Sequence, residues 1–168
     1  MSRLATILYV AIALALAGCG YRPLYGSSPG NAGVASSLAS ISIPEAGDRA
    51  GQLVRNNLLS SMQAAQGDER YVLNLTTTVS DINVVNIRQP GVTREAILIT
   101  VNYELVDKST GTVVNRGSSF SRASYDVIRQ PFADLQAKTD ATERAALEVS
   151  ADIRTRLAAH FAKQQKSA

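Results

Sequence analysis

The chain has very few of the side chains on which enzyme chemistry usually depends. Its 168 residues include one histidine, one cysteine and no tryptophan. Catalytic sites commonly use histidine, cysteine or clustered carboxylates, and protein metal sites need several such ligands at short spacing. The sequence therefore predicts a protein that is not an enzyme, with no metal site and no bound cofactor.

A strong excess of charge is also missing. The chain has 17 Lys and Arg against 14 Asp and Glu, a formal net charge of +3. Nucleic-acid-binding domains present a marked basic surface, so an excess this small predicts no nucleic-acid partner. The single cysteine excludes a disulfide within the chain.

Apolar residues are instead concentrated near the N-terminus. Residues 4–16 are almost wholly apolar and follow Arg3. This run is shorter than the ~20 residues of a membrane span and has the length of the apolar part of a signal peptide. Residues 16–19 (LAGC) match the lipobox of lipoprotein signals, in which small residues fit the peptidase and the cysteine thiol accepts diacylglycerol.

The lipobox predicts an acylated protein. We expect residues 1–18 to be a removed signal peptide, and Cys19 to carry a covalent diacylglycerol and an added N-acyl chain. Several acyl chains anchor firmly because each buried methylene contributes about 0.8 kcal/mol. Gly20, where retention signals carry aspartate, favours sorting to the outer membrane, with the domain facing the periplasm.

The mature chain divides into a short N-terminal segment and one domain. Residues 19–37 are predicted to be a lipid anchor and flexible tether, because 26–37 are rich in Gly, Ser, Pro and Ala. Two tyrosines, Tyr21 and Tyr25, suit either the membrane interface or packing against the domain or a partner. Residues 38–168 have the length of a single domain with one core.

Hydrophobic periodicity predicts the order strand, helix, three strands, helix. Alternation predicts strands over 38–43, 70–88, 94–107 and 112–125, and spacings of three and four predict helices over 49–65 and from Pro131 onward. Asp48 is the predicted N-cap of the first of these helices. A slip of the alternation near Asp81 indicates a bulge or a strong twist in the second strand. Asp140 offers a second start for the last helix, and the residues from Lys163 onward should fray.

These elements predict an α+β fold. Two helices should pack on one face of a mostly antiparallel four-stranded sheet, as a two-layer sandwich. The second and third strands should form a long hairpin around the turn at 89–91 (QPG). The more polar strand 112–125 suits a sheet edge, and the position of the first strand stays open.

Two segments carry a family resemblance, residues 18–26 (GCGYRPLYG) and 87–103 (IRQPGVTREAILITVNY). Together with the element order of the mature chain, they resemble the LptE family, the outer-membrane lipoproteins of the lipopolysaccharide (LPS) assembly machinery, and imply a domain that faces the periplasm or lies inside a barrel lumen. The resemblance implies a non-enzymatic protein that plugs and helps assemble a β-barrel LPS translocon, an LptD-like partner. It also implies binding of LPS for insertion into the outer leaflet.

Basic residues are the LPS contacts that the resemblance implies. Arg88 matches a basic family position at the hairpin tip, and Arg94 lies across the same turn. A further contact is implied early in the last helix, where Lys138 and Arg144 both fit. Arginine suits this role because its guanidinium binds phosphate in bidentate fashion; the alternative is ordinary surface charge beside a hairpin.

Two other function classes compete with this interpretation. A stand-alone periplasmic lipoprotein that binds lipid or an envelope polymer would use the same sandwich and the same basic hairpin. An envelope hydrolase is disfavoured, because the sequence shows no nucleophile–base pair and no metal-ligand spacing.

Overall fold

The computed structural model describes residues 32–63, 69–85, 93–127 and 129–167. Within these ranges the chain forms three helices and one four-stranded sheet. In chain order the elements are α1 (Ala32–Ala39), β1 (Ile41–Ser42), α2 (Arg49–Met62), β2 (Tyr71–Val85), β3 (Thr93–Asp107), β4 (Val113–Asp126) and α3 (Pro131–Ser167). The predicted α+β fold with a mostly antiparallel sheet is confirmed, and a third helix is added to the two expected.

The added helix lies where a tether and a strand were predicted. Residues 32–37 of the expected tether, and Leu38 and Ala39 of the expected first strand, form α1. Val34 and Leu38 are four positions apart, share one helix face and are each 3% exposed. Burial of these two side chains against the core outweighs the weak helix propensity of the neighbouring Gly and Ser residues.

The first strand is correspondingly short. β1 contains only Ile41 and Ser42 and pairs in parallel with β2, with Ile41 opposite Tyr71. The sheet order is β1-β2-β3-β4, so β1 forms one edge and β4 the other, as predicted for β4. A parallel pair needs a crossover connection, and α2 provides it between β1 and β2.

The ends of α2 are set by local interactions. The carboxylate of Asp48 accepts a hydrogen bond from the Gly51 N–H at 3.0 Å, which confirms the predicted N-cap. The helix ends at Met62, three residues earlier than predicted, because Gln63 adopts a left-handed conformation with φ of 51°. The N–H of Gln63 then bonds to the carbonyl of Leu59, which satisfies one of the last free carbonyls.

The long hairpin is confirmed, but without the bulge expected near Asp81. Pairing is unbroken from Tyr71 opposite Asp107 to Val85 opposite Thr93. An irregularity lies instead in the β3–β4 pairing, between Leu105 and Val106. The hydrophobic pattern changes near Asp81 because the helices no longer bury this part of β2. Val79, which lies on the same face of β2 as Asp81, is already 44% exposed. The predicted turn at 89–91 lies outside the described residues.

The last helix is one uninterrupted element. α3 has 37 residues, a length of about 55 Å at 1.5 Å per residue. Asp140 does not start a helix but lies within α3 and pairs with Arg144. The expected fraying from Lys163 is also absent, since α3 continues to Ser167 and Phe161, just before this segment, packs on Tyr71 with ring centroids 5.3 Å apart.

The hydrophobic core lies between the helices and one face of the sheet. Its largest fully buried apolar side chains come from five elements: Ile41 from β1, Val54 and Leu58 from α2, Leu73 from β2, Ile97, Ile99, Val101 and Leu105 from β3, and Val149, Ile153 and Leu157 from α3. Alternate strand residues point to opposite faces, so the even-numbered residues of β2, β3 and β4 form a second face. No described helix covers that face. None of the described helices is long and apolar enough to cross a membrane.

Candidate functional site

Three segments distant in sequence meet at one end of the sheet. They are the far end of the β2–β3 hairpin, the end of β4 and the first three turns of α3, and we call this region the hairpin end. Arg94 lies opposite Asp126 in the β3–β4 register. Lys138 of α3 reaches Asp81 of β2. The predicted basic residues that the structure describes are therefore brought to the same end of the molecule.

Arg94 lies on the face of the sheet that no described helix covers. Its Nε donates a hydrogen bond to Oδ1 of Asp126 at 2.9 Å, and both side chains are more than half exposed. Exposed ion pairs contribute at most about 1 kcal/mol. An anionic ligand can therefore replace Asp126 as the partner of Arg94 at small energetic cost.

Lys138 lies on the helix-covered side of the sheet. Its Nζ donates a hydrogen bond to Oδ2 of Asp81 at 3.0 Å, in another exposed pair. The backbone layer of the sheet separates this pair from Arg94. One phosphate group cannot contact both cations, whereas a larger ligand with two anionic groups can reach them around the end of the hairpin.

Arg144 has two partners beside β4. Its Nε donates to Asp140 at 2.9 Å, one helical turn away, and Nη2 donates to the Ser124 carbonyl at 3.1 Å. The second bond joins α3 to the edge strand β4, so Arg144 stabilises the packing of these two elements. Of the two predicted helix candidates, Lys138 is the one that contacts the hairpin.

The other two predicted site residues, Arg88 and Cys19, lie outside the described residues. LPS contact through Arg88 and acylation of Cys19 therefore stay predictions.

The interior of the hairpin end is acidic. The Tyr125 hydroxyl donates a hydrogen bond to Oε2 of Glu95 at 2.6 Å. Burial raises the pKa of Tyr125, and the carboxylates of Glu95, Asp134 and Asp81 raise it further. The phenol therefore stays protonated and holds Glu95 in place. Glu95 and Tyr125 are thus tied together on the helix-covered side of the hairpin end, away from Arg94.

Serine–carboxylate bonds join α3 to β4. The Ser119 hydroxyl donates to Asp152 at 2.6 Å, and the Ser121 hydroxyl donates to Glu148. Both serines are buried. Asp152 also pairs with Arg156 at 2.7 Å. These bonds fix the position of α3 over the edge strand.

The single histidine also belongs to this junction. Nδ1 of His160 lies 3.1 Å from the Asn115 side-chain nitrogen. Burial lowers the pKa of His160, and the charge of Lys163 lowers it further. A neutral imidazole accepts the amide hydrogen bond. Among the described residues, no group of three His, Cys, Asp or Glu side chains could hold a metal ion.

An exposed aromatic ring on the sheet was not predicted from the sequence. Phe120, near the middle of β4, is 73% exposed on the face without helices. Its row across the sheet is Thr78, Thr100 and Phe120. The signal was weak because β4 has serine, glycine and arginine on both faces, which hides its alternation.

Solved structures include chains similar to this one. A candidate lipoprotein from Caulobacter crescentus CB15 is 30% identical, with a TM-score of 0.66 over 78% of this chain and 97% of that chain. A minor lipoprotein from Acinetobacter baumannii is 15% identical, with a TM-score of 0.54 over 71% and 88% of the two chains. Rare lipoprotein B from Shewanella oneidensis is 14% identical, with a TM-score of 0.55 over 74% and 96%. The last two likenesses show a shared fold alone. No family model and no curated protein matches the chain.

Proposed function

Because the chain belongs to the same family as the candidate lipoprotein of Caulobacter crescentus CB15, we propose that it is an outer-membrane lipoprotein that acts as a non-enzymatic subunit of LPS export. Family membership supports the lipoprotein part of this proposal, and the resemblance of residues 18–26 and 87–103 to the LptE family supports the LPS part. The lipobox at residues 16–19 supports the anchor at Cys19, and Gly20 supports the outer membrane as its destination.

The partner in this proposal is an LptD-like β-barrel, which the protein plugs and helps to assemble. The lumen of outer-membrane barrels is polar, so a plug needs a polar outer surface. The described domain has one, because most of its exposed residues are polar or charged. The resemblance of residues 18–26 and 87–103 to the LptE family supports the same partner.

The ligand in this proposal is LPS, bound at the hairpin end. α1 lies at the other end of the domain, since Gly33 is next to the side chain of Gln165. Along α3, Gln165 is about 40 Å from Lys138. The described chain thus begins far from the hairpin end. In this proposal the phosphates of LPS meet Arg94, Lys138 and, as predicted, Arg88.

Depletion of the protein in its own bacterium tests this function. We expect LPS at the cell surface and the amount of folded translocon barrel to fall together, and a plasmid copy of the wild-type protein to restore both. A Cys19→Ser copy should restore them poorly, because it lacks the anchor. Unchanged surface LPS after depletion would contradict the proposed function.

The same experiment separates the second candidate, a stand-alone envelope-binding lipoprotein. The observation in its favour is that Arg94, Lys138 and Arg144 all have carboxylate partners. The positive charge of these three residues is therefore balanced within the protein without a phosphate ligand. Normal surface LPS, together with binding of an envelope glycan, would favour that candidate.

A further inference from the structure

The central part of the sheet face without helices carries no charge. We call this patch the neutral face. It consists of nine residues in neighbouring registers: Asn74, Thr76, Thr78 and Ser80 of β2, Leu98, Thr100 and Asn102 of β3, and Ser118 and Phe120 of β4. Seven of them are exposed, and Leu98 and Thr100 are half-buried. Exposed sheet faces usually carry charged residues, so this composition needs an explanation.

The hydroxyl and amide side chains of the neutral face make no hydrogen bond to another described residue. Each serine or threonine hydroxyl can donate and accept, and each asparagine amide can do both. Neighbouring strands are about 4.8 Å apart, and residues on one face of a strand are about 7 Å apart. The face therefore presents an array of side-chain donors and acceptors that have no partner among the described residues.

Phe120 adds an apolar surface to this array. Its side chain is 73% exposed and lies in the same row as Thr78 and Thr100. The π face of an aromatic ring carries partial negative charge and attracts weakly positive C–H groups. Charged residues lie only at the borders, with the cross-strand neighbours Glu104 and Arg116 on one side and Arg122 on the other.

We propose that the neutral face binds an uncharged sugar chain. A sugar ring presents C–H groups on its flat side, which fit the Phe120 ring, and hydroxyl groups around its edge, which fit the Ser, Thr and Asn side chains. Neither partner has to strip water from a charge, which is the most costly part of burying polar surface.

The size of the neutral face favours a sugar over a protein partner. Seven residues of β2 by three strands give about 24 Å by 14 Å, or roughly 340 Å². A stable protein interface needs about 800 Å² on each partner. A chain of several sugar rings fits the smaller area, whereas a protein would need further surface beyond it.

The neutral face adjoins the predicted phosphate contacts. Arg94 lies on the same face of the sheet, about 20 Å from the row of Phe120 along the strands. In LPS export, the uncharged saccharide part of LPS would lie on the neutral face while its phosphates meet Arg94. That extension rests on the proposed function, whereas sugar binding itself does not.

The absence of tryptophan from the chain gives a direct test. In a Phe120→Trp variant the ring on the neutral face is the only tryptophan and keeps its stacking surface. The full acylated protein in detergent is titrated with the neutral polysaccharide that mild acid releases from LPS, freed of lipid A and charged fractions. We expect a saturable change in tryptophan emission, with an affinity that does not change between low and high salt.

Wild-type protein and matched variants complete the test by calorimetry. Phe120→Ala should bind the polysaccharide about fivefold more weakly, because an aromatic contact of this kind is lost. Phe132→Ala is the control, since Phe132 is 81% exposed but lies on α3. Absence of binding by the wild type, or equal binding by wild type and Phe120→Ala, overturns the proposal.

Two further outcomes separate this inference from the proposed function. If Phe120→Ala loses a co-purifying barrel while the wild type binds no polysaccharide, the neutral face is a protein contact and the sugar proposal is wrong. If the polysaccharide binds as expected while depletion leaves surface LPS unchanged, the sugar site stands and the LPS-export function fails.

Discussion

At the scale of single residues, Asp107 stabilises the end of the sheet opposite the hairpin end. Its carboxylate accepts hydrogen bonds from the Ser109 N–H at 2.8 Å and the Ser109 hydroxyl at 2.5 Å, and it pairs with Arg70 at 3.4 Å. The bonds from Ser109, and secondarily the charge of Arg70, hold the pKa of Asp107 below its ordinary value. The ionised carboxylate therefore stabilises the folded state.

The pH dependence of this effect can be measured. The contribution is present above the ordinary aspartate pKa of about 3.9 and is lost as the pH falls through the lowered value of the folded state. Asp107→Asn should lower the free energy of unfolding at neutral pH and flatten its decline in acid, as measured by urea unfolding at several pH values. Glu104→Gln, at an exposed position, is the control. Equal curves for Asp107→Asn and wild type would refute the assignment.

The cations of the hairpin end give a second prediction at this scale. Arg94→Ala with Lys138→Ala should weaken LPS binding about tenfold, since two exposed charge contacts contribute up to about 1 kcal/mol each. Wild-type binding should weaken as salt rises, because the Debye length is only about 8 Å at physiological ionic strength. Calorimetry with purified LPS measures both effects, with Arg49→Ala of α2 as the control. Wild-type affinity in the double variant removes the two residues from the site.

At the scale of elements, the sequence patterns were informative where a local signal coincided with packing. The alternation of β3 and the carboxylate of Asp48 predicted the hairpin and the start of α2. The pattern near Asp81 was misleading, because periodicity reports which side chains are apolar and not where the covering helix ends. The start signal at Asp140 failed for a related reason, since the buried stripe of α3 runs through Ala141 and Ala145 without a break.

The N-terminal helix gives a prediction at the element scale. A flexible tether would tolerate Leu38→Ala, whereas a helix packed on the core would not. Burial of Leu38 at 3% exposure predicts a loss of about 2–5 kcal/mol in the free energy of unfolding. Denaturant unfolding measures this loss, and Ala35→Ser on the exposed side of α1 should change it little. Unaltered stability of Leu38→Ala would restore the tether interpretation.

At the scale of the whole molecule, the domain has two distinct ends and two distinct faces. The chain enters beside the C-terminal end of α3, and the predicted phosphate contacts lie about 40 Å away. The sequence predicted basic contact residues on the hairpin and early in the last helix. It did not predict that Arg94 and Lys138 lie on opposite sides of the sheet, because that depends on which face the helices cover.

The neutral face could not be predicted from the sequence, because it too depends on how distant segments pack together. Alternation separates the polar from the apolar residues within β2 and within β3. Whether the polar residues of the two strands form one surface depends on the register between the strands. The position of Phe120 in that surface depends on the β3–β4 pairing, which the weak alternation of β4 did not specify. Long-range pairing, and not local preference, creates this part of the molecule.

The central claim is that the protein is a lipid-anchored subunit of a barrel complex. Gentle detergent extraction, affinity capture on a C-terminal tag and mass spectrometry of everything retained test it most directly. The account predicts an acylated Cys19 peptide and a large outer-membrane β-barrel in equal amount. Recovery of the acylated protein without a barrel would contradict the account and leave an independent envelope-binding lipoprotein.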